Sequence, residues 1–339
     1  MSPTTNAAPV TRWGILATGR IARDFARELR HVHGAEIAAV GSRSEESARG
    51  FAETYAGGGC RAYGSYEALA ADPDVDIVYV ASPHALHHEH SRMALEAGKP
   101  VLCEKPLTMN VAEAEDLIAL ATERGLFFME AMWSACHPVV RTLRDQVAEG
   151  RFGTPKQLHA DLSWVVDAPA DDRLLDPALG AGAVLDLGVY PLTFAELMMG
   201  PTTSIAATGT LDDRGVDLDV AIALRHQGGG VSALTCSMAA AGPGSASLAT
   251  DLGLVDVPDP FHHPAYAVFV PEDGGRPVRI EAEEPLLGTG LGNEAAEVAR
   301  CLRLGLTESP MVPHAQTLSV LRTSDEVRRQ LGVRYAADA

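Results

Sequence analysis

Three side chains in this sequence combine residue types and positions that suit proton transfer. Lys105 follows an apolar run at residues 101–103 and precedes Pro106, while Asp186 and Tyr190 stand four residues apart in a glycine-rich segment. Side chains four apart share one face of a helix, so we expect Asp186 and Tyr190 side by side. A nearby lysine can lower the pKa of a phenol, which lets a tyrosine donate or accept a proton. We therefore predict Lys105, Asp186 and Tyr190 as catalytic residues.

Each of these residues also has a purely structural interpretation. A lysine at a strand end commonly extends its ammonium group into solvent. Asp186 suits the N-cap of a helix, and Tyr190 suits a core position. Spacing alone leaves both interpretations open, so the surrounding elements have to decide between them.

The first of these elements is a turn near the N-terminus with features of a dinucleotide-binding site. It lies between a predicted strand at residues 13–17 and a predicted helix at residues 21–30. Ala17, Gly19 and Ala22 occupy the small-residue positions of the G-x-G-x-x-G/A fingerprint, with alanine replacing the first glycine. The helix N-terminus suits a pyrophosphate, although an ordinary strand–helix turn is the alternative. The predicted cofactor contacts in this turn are Ala17, Thr18, Gly19, Arg20 and Ile21.

The end of the second predicted strand distinguishes two cofactors. NAD-binding chains usually carry an acidic residue there for the ribose hydroxyls. In this chain Ser42 and Arg43 follow the strand at residues 36–40, and a guanidinium group suits a 2′-phosphate. We therefore predict NADP and regard NAD as less favoured, while an exposed arginine beside a helix cap is the structural alternative.

Short apolar runs alternate with helical patterns from residue 11 to residue 130. This alternation predicts an α/β fold with a doubly wound parallel sheet, a Rossmann domain. Predicted strands cover residues 13–17, 36–40, 76–81, 100–103 and 127–130, and predicted helices cover residues 21–30, 45–55, 87–97 and 111–124.

Longer strands follow one another directly after about residue 150, which favours a second, α+β domain with a mainly antiparallel sheet. Its predicted strands cover residues 156–166, 204–209, 216–226 and 231–237, with a hairpin turn at 227–230 and helices at 185–199, 293–304 and 315–331. The predicted organisation is a disordered tail at residues 1–10, a cofactor domain at 11–130, and a domain for substrate binding and oligomerisation at 131–335.

Composition narrows the range of partners. The 339 residues have an ordinary hydrophobic fraction of 46% and a formal net charge of −18, which disfavours nucleic acid and membranes as partners. Five scattered cysteines without a CxxC pair predict reduced thiols in a cytoplasmic protein. No metal is predicted at the histidines of residues 84–90, because nearby carboxylates are few. The pair at residues 262–263 is predicted to lie in a loop near the substrate pocket or an interface.

Together these residues resemble the glucose–fructose oxidoreductase/inositol dehydrogenase family, called Gfo/Idh/MocA, and most closely its dihydrodiol and D-xylose dehydrogenase branch. The similarity covers nearly the whole chain. It rests on motifs at residues 14–22, 76–84, 97–106, 129–133, 186–191, 307–310 and 313–314. The resemblance implies a Rossmann domain followed by a domain with a large open sheet. It also implies that Lys105 is the active-site lysine before a cis proline, and that Tyr190 replaces the histidine of many members.

The resemblance further implies which strand-end residues contact the cofactor. These predicted contacts are Ala81, Ser82, His84, His87, Glu104, Lys105 and Trp133. Trp133 and Trp164 are also expected to form walls of the substrate pocket.

The predicted function is NADP-dependent hydride transfer to or from a hydroxyl-bearing carbon of a sugar, polyol or cyclic diol. Tyr190, assisted by Lys105, moves the hydroxyl proton in this prediction, although which of the two does so is left open. Two alternatives are a redox-neutral enzyme with tightly bound NAD and a non-catalytic nucleotide-sensing protein. A homodimer or homotetramer is expected, because an exposed face of a large open sheet usually needs to be covered.

Overall fold

The structure, a computed structural model, describes residues 10–169 and 171–339. The predicted disordered tail, residues 1–10, lies outside these ranges except for Val10. The described chain forms two β-sheets, one of six strands and one of eight.

The first sheet is built from the first six strands of the chain. They are β1 (Thr11–Leu16), β2 (Ala35–Gly41), β3 (Arg61–Tyr63), β4 (Ile77–Val80), β5 (Val101–Glu104) and β6 (Phe128–Ala131). All pair in parallel, in the order β3-β2-β1-β4-β5-β6. Because the order reverses between β1 and β4, the crevice at their carboxyl ends is where open α/β sheets bind ligands.

Five helices connect these strands and cover the sheet. They are α1 (Arg20–Glu28), α2 (Glu45–Tyr55), α3 (Tyr66–Ala70), α4 (His87–Glu96) and α5 (Val111–Arg124). Local sequence sets their ends: Asn110 accepts a hydrogen bond from the Glu113 backbone N–H at 3.0 Å, and Gly125 ends α5 in the left-handed conformation. Every residue of β4, β5 and β6 is buried, as expected where helices cover both faces of a parallel sheet.

The second sheet contains the remaining strands and one parallel pair. They are β7 (Pro155–Ser163), β8 (Thr202–Leu211), β9 (Asp217–His226), β10 (Val231–Ser237), β11 (Ala246–Thr250), β12 (Gly253–Val257), β13 (Ala267–Pro271) and β14 (Val278–Ile280). Their order is β14-β13-β12-β11-β7-β10-β9-β8, and only β7 and β10 run in parallel. The predicted fold class, a Rossmann domain joined to a mainly antiparallel sheet, is confirmed.

Helices cover one face of this second sheet. The remaining helices are α6 (Trp133–Cys136), α7 (Pro138–Ala148), α8 (Val189–Met199), α9 (Leu291–Arg303) and α10 (His314–Leu331). α8 packs on β7 and β10, and α10 packs on β8. Along β9, Val220, Ile222 and Leu224 are buried while Ala221 and Ala223 between them are exposed. The period of two therefore leaves the outer face of the sheet open.

The structure contains elements that were not predicted. The elements β3, α3 and α6 and the strands β11 to β14 are brief or partly exposed segments that carry little periodic signal. The longer helix α7 was also missed. The helix predicted at residues 185–199 also begins differently, with a π-helical turn at Val184–Gly188 before α8. Asp217 starts this turn by accepting the Val184 N–H at 2.6 Å.

One segment, Pro177–Met199, is long and apolar enough to cross a membrane by length and composition. Most of it is enclosed, since 89% of its most apolar window is buried inside the protein. A core helix has the same properties, and α8 is such a helix at the centre of the second sheet's inner face.

Candidate active site

The turn after β1 is shaped by backbone conformation and backbone hydrogen bonds. Ala17 adopts a left-handed conformation with φ of 78°, at the position where the fingerprint has glycine. Its N–H donates to the Gly41 carbonyl, and the Ala81 N–H donates to the Leu16 carbonyl, so three strand ends meet here. Gly19 precedes α1, and no side chain caps the N-terminus of that helix. Free N–H groups at a helix N-terminus fit the pyrophosphate of a dinucleotide, so these residues suit the implied cofactor.

Arg43 lies where the sequence predicted a 2′-phosphate contact. It is exposed after β2, beside Tyr66, and makes no ion pair within residues 10–169 and 171–339. Ser42 is buried, and its backbone N–H donates to the Tyr63 carbonyl at 3.1 Å. The neighbouring Ser44, not Arg43, caps α2. Within the part of the chain that the structure describes, the guanidinium group of Arg43 thus has no ion-pair partner at this strand end.

Lys105 points from the end of β5 towards the second domain. The peptide bond to Pro106 is cis. The ammonium group donates to the backbone carbonyl of Asp186 at 2.8 Å and lies 3.5 Å from its Oδ1. It also lies 4.7 Å from the centroid of the Tyr190 ring, a cation–π contact. Burial alone would lower the pKa of Lys105, but Asp186, Tyr190 and Glu104 outweigh it and raise that pKa. Lys105 is therefore an ammonium ion at neutral pH.

Asp186 is the anionic centre of the cluster. Its Oδ1 lies 3.5 Å from each of Lys105 Nζ, His84 Nε2 and Arg173 Nη1. Burial would raise the pKa of Asp186, but Lys105, His84 and Arg173 hold it well below its ordinary range. The π-helical turn places the carboxylate here, one turn before Tyr190. Arg173 was not predicted, because it lies in an irregular loop without a motif.

Tyr190 is buried, and its hydroxyl oxygen has a partner from α6. The indole N–H of Trp133 donates to Tyr190 Oη at 2.9 Å. Burial raises the pKa of the Tyr190 phenol, while Lys105 and the Trp133 hydrogen bond oppose that increase. Lys105 thus lowers the Tyr190 pKa as expected, but burial exceeds the effect of the ammonium group, so the net shift is upwards. Tyr190 is therefore a neutral phenol at neutral pH.

Imidazole rings form a wall around Trp133 and Tyr190. His262 lies 4.8 Å from the Tyr190 ring, and His263 lies 5.1 Å from the Trp133 ring, measured between centroids. Burial lowers the pKa of His262 to about 3 and that of His137 to about 4, so both are neutral. Residues 262–263 are thus close to the catalytic side chains. No three His, Cys, Asp or Glu side chains in the described ranges are arranged to hold a metal ion.

Three residues that were predicted to contact the cofactor make hydrogen bonds to other parts of the site. His87 is fully buried, with Nδ1 at 2.8 Å from the Pro106 carbonyl and Nε2 at 2.9 Å from the Ser82 carbonyl. Glu104 accepts hydrogen bonds from the Tyr79 hydroxyl and, at 3.2 Å, from the Lys105 N–H. His87 therefore has no ring nitrogen free for a cofactor, and both carboxylate oxygens of Glu104 are engaged. Both side chains thus help to position the site, and their contact with the cofactor stays a prediction.

The third such residue is His84, which belongs to the catalytic cluster. It is buried, and its Nδ1 lies 3.1 Å from the Gly180 carbonyl. Burial lowers the pKa of His84 to about 3, so the neutral ring donates from Nδ1 to that carbonyl. His84 and Trp133 thus lie with the catalytic residues. Trp164, also expected near the pocket, is 41% exposed at the end of β7, and no ring contact joins it to Trp133 or Tyr190 in the described structure.

Comparison with protein families covers most of the chain. Residues 11–132 match the GFO/IDH/MocA model described as an oxidoreductase family with an NAD-binding Rossmann fold. Residues 140–253 match the C-terminal domain model of the same family.

Individual relatives match over almost their full length. Trans-1,2-dihydrobenzene-1,2-diol dehydrogenase of Xenopus laevis is 34% identical over 335 residues, covering 96% of this chain and 99% of the relative. The enzyme of the same name from Bos taurus is 35% identical, with coverage of 96% and 98%.

Two solved structures have the same architecture. A 3-ketoreductase from Actinomadura kijaniata, in complex with NADP and TDP-benzene, has a TM-score of 0.81 and 29% identity, covering 95% of this chain and 98% of that one. An aldose–aldose oxidoreductase from Caulobacter crescentus has a TM-score of 0.86 with the same coverage, but its 22% identity supports the fold alone. With the family models and the near-complete relatives, these findings confirm the resemblance seen in the sequence. The chain is an enzyme of the GFO/IDH/MocA oxidoreductase family, which acts on CH–OH groups.

Proposed function

We propose that this protein is an NADP-dependent oxidoreductase that transfers hydride between the cofactor and a hydroxyl or carbonyl carbon of a sugar, polyol or cyclic diol. The observation that carries the proposal is the cluster of Lys105, Asp186 and Tyr190 beside the carboxyl end of β5. The uncapped N-terminus of α1 lies at the same edge of the parallel sheet. An alcohol oxidised by hydride loss needs a base for its proton, and the reverse reaction needs an acid.

Tyr190 is the residue that moves this proton. Lys105 is excluded as the base because its ammonium group is charged at neutral pH and carries no lone pair. Asp186 is ionised, and its carboxylate faces the ammonium group of Lys105 and the guanidinium group of Arg173, so it is a poor acid. The neutral phenol of Tyr190 donates its proton to a carbonyl oxygen in the reduction, and its ionised form accepts a hydroxyl proton in the oxidation.

Lys105 and Asp186 set the electrostatics of that transfer. The ammonium group over the Tyr190 ring favours the phenolate, and Asp186 holds the ammonium group in position. Arg173 and Asp186 remain available to orient a second hydroxyl of the substrate. A nicotinamide cofactor, held by the turn at Ala17–Ile21, supplies when bound the carbon that gives or takes hydride.

The choice of NADP rests on Arg43. Its guanidinium group is exposed and unpaired within the described chain, at the strand end that faces the adenosine ribose in Rossmann domains. A charged, planar donor suits a 2′-phosphate better than the ribose hydroxyls. The 3-ketoreductase relative, solved with NADP, is in agreement.

The substrate class rests on the wall of rings. Trp133, His262 and His263 present flat, uncharged surfaces next to Tyr190, and such surfaces suit the face of a ring-shaped molecule. The relatives named for a dihydrobenzene diol support a cyclic vicinal diol as the first substrate to test.

The test measures the near-ultraviolet absorbance of reduced nicotinamide. Purified protein is incubated with cyclic diols, aldoses and polyols, and NADP and NAD are compared in parallel. Turnover with NADP and one class of ring-shaped alcohol supports the proposal. Equal turnover with NAD contradicts the role of Arg43. If the absorbance does not change with either cofactor, the dehydrogenase proposal is overturned. Purified protein that retains a tightly bound nicotinamide cofactor would then point to a redox-neutral reaction.

The exposed outer face of the second sheet supports a homodimer. Ala206, Ala223 and Ala233 pair across β8, β9 and β10, and Ala221 next to them pairs with Thr208 and Thr235, so this face carries small side chains. A second copy could cover such a face closely. Light scattering should give twice the chain mass for the wild type and the monomer mass for Ala223→Arg. A wild-type monomer would contradict this arrangement.

A further inference from the structure

Tyr190 Oη has one direct hydrogen-bond partner within residues 10–169 and 171–339, and it is not the lysine. Trp133 Nε1 donates to it at 2.9 Å. Lys105 instead lies over the face of the ring and donates to the backbone carbonyl of Asp186. The ammonium group therefore acts on Tyr190 through space, whereas the indole N–H acts on the reacting oxygen itself.

We propose that the indole N–H of Trp133 stabilises the deprotonated oxygen of Tyr190 during proton transfer, which makes Trp133 a positioning residue of this site. The inference rests on the proposed function, because it concerns the proton that Tyr190 moves. It gives Trp133 a role different from that of a cofactor contact or an inert wall.

The surroundings of Trp133 hold its indole ring in one orientation. The centroid of its ring lies 5.1 Å from that of His263 and 5.7 Å from that of His262, and the His262 ring is nearly perpendicular to the indole. Gly290 closes the other side: a carbon atom added to it would lie 3.2 Å from two indole carbons. The ring is therefore fixed before the reaction with its N–H directed at Tyr190, and a donor that needs no reorganisation is the most effective kind.

The proton balance explains why this donor matters. In the reduction, a bound reduced nicotinamide would supply hydride to the carbonyl carbon, and the carbonyl oxygen would take the proton of Tyr190 Oη. A phenolate remains until a proton from solvent restores the phenol. Hydrogen bonds to an ionised acceptor are roughly twice as strong as those between neutral groups. The Trp133 bond therefore strengthens as the proton leaves, and it weakens again when Tyr190 is reprotonated.

Other groups around Tyr190 also affect its ionisation and must stay constant in a test. Lys105 favours the phenolate, while Glu104 and Asp186 oppose it. His262 packs against the ring as a neutral imidazole. The more distant titratable groups of the cluster are His84, His137, Arg173 and His263. A substitution at Trp133 leaves all of these groups in the chain, and two replacements of different shape separate the loss of the donor from the loss of packing.

The experiment compares wild type with Trp133→Phe and Trp133→Leu, two variants that lack the donor and differ in shape. Protein labelled with carbon-13 at the tyrosine Cζ is titrated with NADP present, and the Tyr190 signal is identified by its loss in Tyr190→Phe. Both variants should move the Tyr190 titration to higher pH by about 0.5–1 unit, the size of one hydrogen bond. Trp164→Phe, the same exchange at a 41% exposed site, should leave it unchanged.

Kinetics provide a second readout. Tyr190 must be protonated to act as the acid, so kcat/KM for reduction falls as pH rises through its pKa, and loss of Trp133 should move that fall to higher pH. Identical titration curves in wild type and both variants would overturn the proposal, and so would a uniform loss of rate without a shift. A shifted titration without turnover of any substrate would instead contradict the proposed function and leave the Trp133–Tyr190 coupling intact.

Discussion

The two sides of the site are built from different parts of the chain. On the proposed cofactor side, the turn from Ala17 to Ile21 offers backbone conformation and free N–H groups. On the proposed catalytic side, Lys105, Asp186 and Tyr190 offer charge, burial and hydrogen bonds of side chains. A site formed by backbone groups tolerates many side-chain types. A buried cluster of charged side chains depends on each member, because removing one charge leaves its partner charge uncompensated.

This difference explains how Ala17 can replace a fingerprint glycine. The turn keeps its shape, and the alanine adopts the left-handed conformation that glycine reaches without strain. No comparable exchange is available for Asp186, which balances Lys105 and Arg173 while it is buried. The predictions below test whether the two sides really respond so differently.

The largest effect is expected on the catalytic side, at Tyr190. Tyr190→Phe keeps the ring under the Lys105 ammonium group and removes only the hydroxyl that moves the proton. We expect kcat to fall roughly 10²–10⁴-fold, the usual contribution of general acid–base catalysis, with NADP affinity nearly unchanged. Steady-state kinetics and a fluorescence titration with NADP measure the two quantities. Undiminished turnover would remove Tyr190 from the mechanism.

Arg43 tests the one side chain that the cofactor side is proposed to need. Arg43→Ala should weaken NADP binding about ten- to a hundredfold by removing charge-assisted hydrogen bonds, while NAD binding stays unchanged. Arg49→Ala is the matched control, since Arg49 is also exposed but pairs with Glu45 on α2. If both variants bind NADP like the wild type, another residue selects the cofactor.

His87 joins the two sides, and its effect should appear as a pH dependence of stability. Burial lowers its pKa from 6.5 to about 4, although the Ser82 and Pro106 carbonyls oppose the shift. The unfolded chain therefore binds a proton between these pH values that the folded chain does not, so acid destabilises the fold over that range. Uptake of this proton by the unfolded chain should lower the free energy of unfolding by about 2 kcal/mol between pH 7 and pH 5.

Urea unfolding of His87→Gln measures that contribution. The variant should start less stable at neutral pH, because it loses the hydrogen bond that the neutral ring donates to one of the two carbonyls, but it should lose about 2 kcal/mol less than wild type on acidification. The same exchange at the exposed His33 serves as control. Parallel pH profiles for His87→Gln and wild type would contradict a neutral, buried imidazole at this position.

The smallest effect is expected at Ala17. A left-handed alanine costs about 1–2 kcal/mol, and glycine adds back about 0.4–1 kcal/mol of unfolded-chain entropy. Ala17→Gly should therefore stabilise the fold by about 0.5–1 kcal/mol in urea unfolding, with kcat unaffected. A destabilised variant would show that the alanine methyl group makes packing contacts worth more than the strain.

Much of the fold could be read from local patterns. The helices at residues 45–55 and 111–124 were predicted to the residue, because a serine or asparagine cap begins each of them. The hairpin turn at residues 227–230 joins β9 and β10 as its glycines predicted. The short strands of the second sheet were missed, since three to five half-exposed residues carry too little periodic signal.

Neighbouring residues and a recognisable motif were enough to predict most of the longer strands and helices, the turn before α1 and the choice of Lys105, Asp186 and Tyr190. The contacts of the folded chain were needed to show that Arg173 joins Asp186, that Trp133 donates to Tyr190, and that His87 lies between the Ser82 and Pro106 carbonyls. Burial in the folded chain also sets the net direction of the Tyr190 pKa shift. Charge and burial at a site are sums over residues far apart in the chain, and spacing along a sequence does not contain that sum.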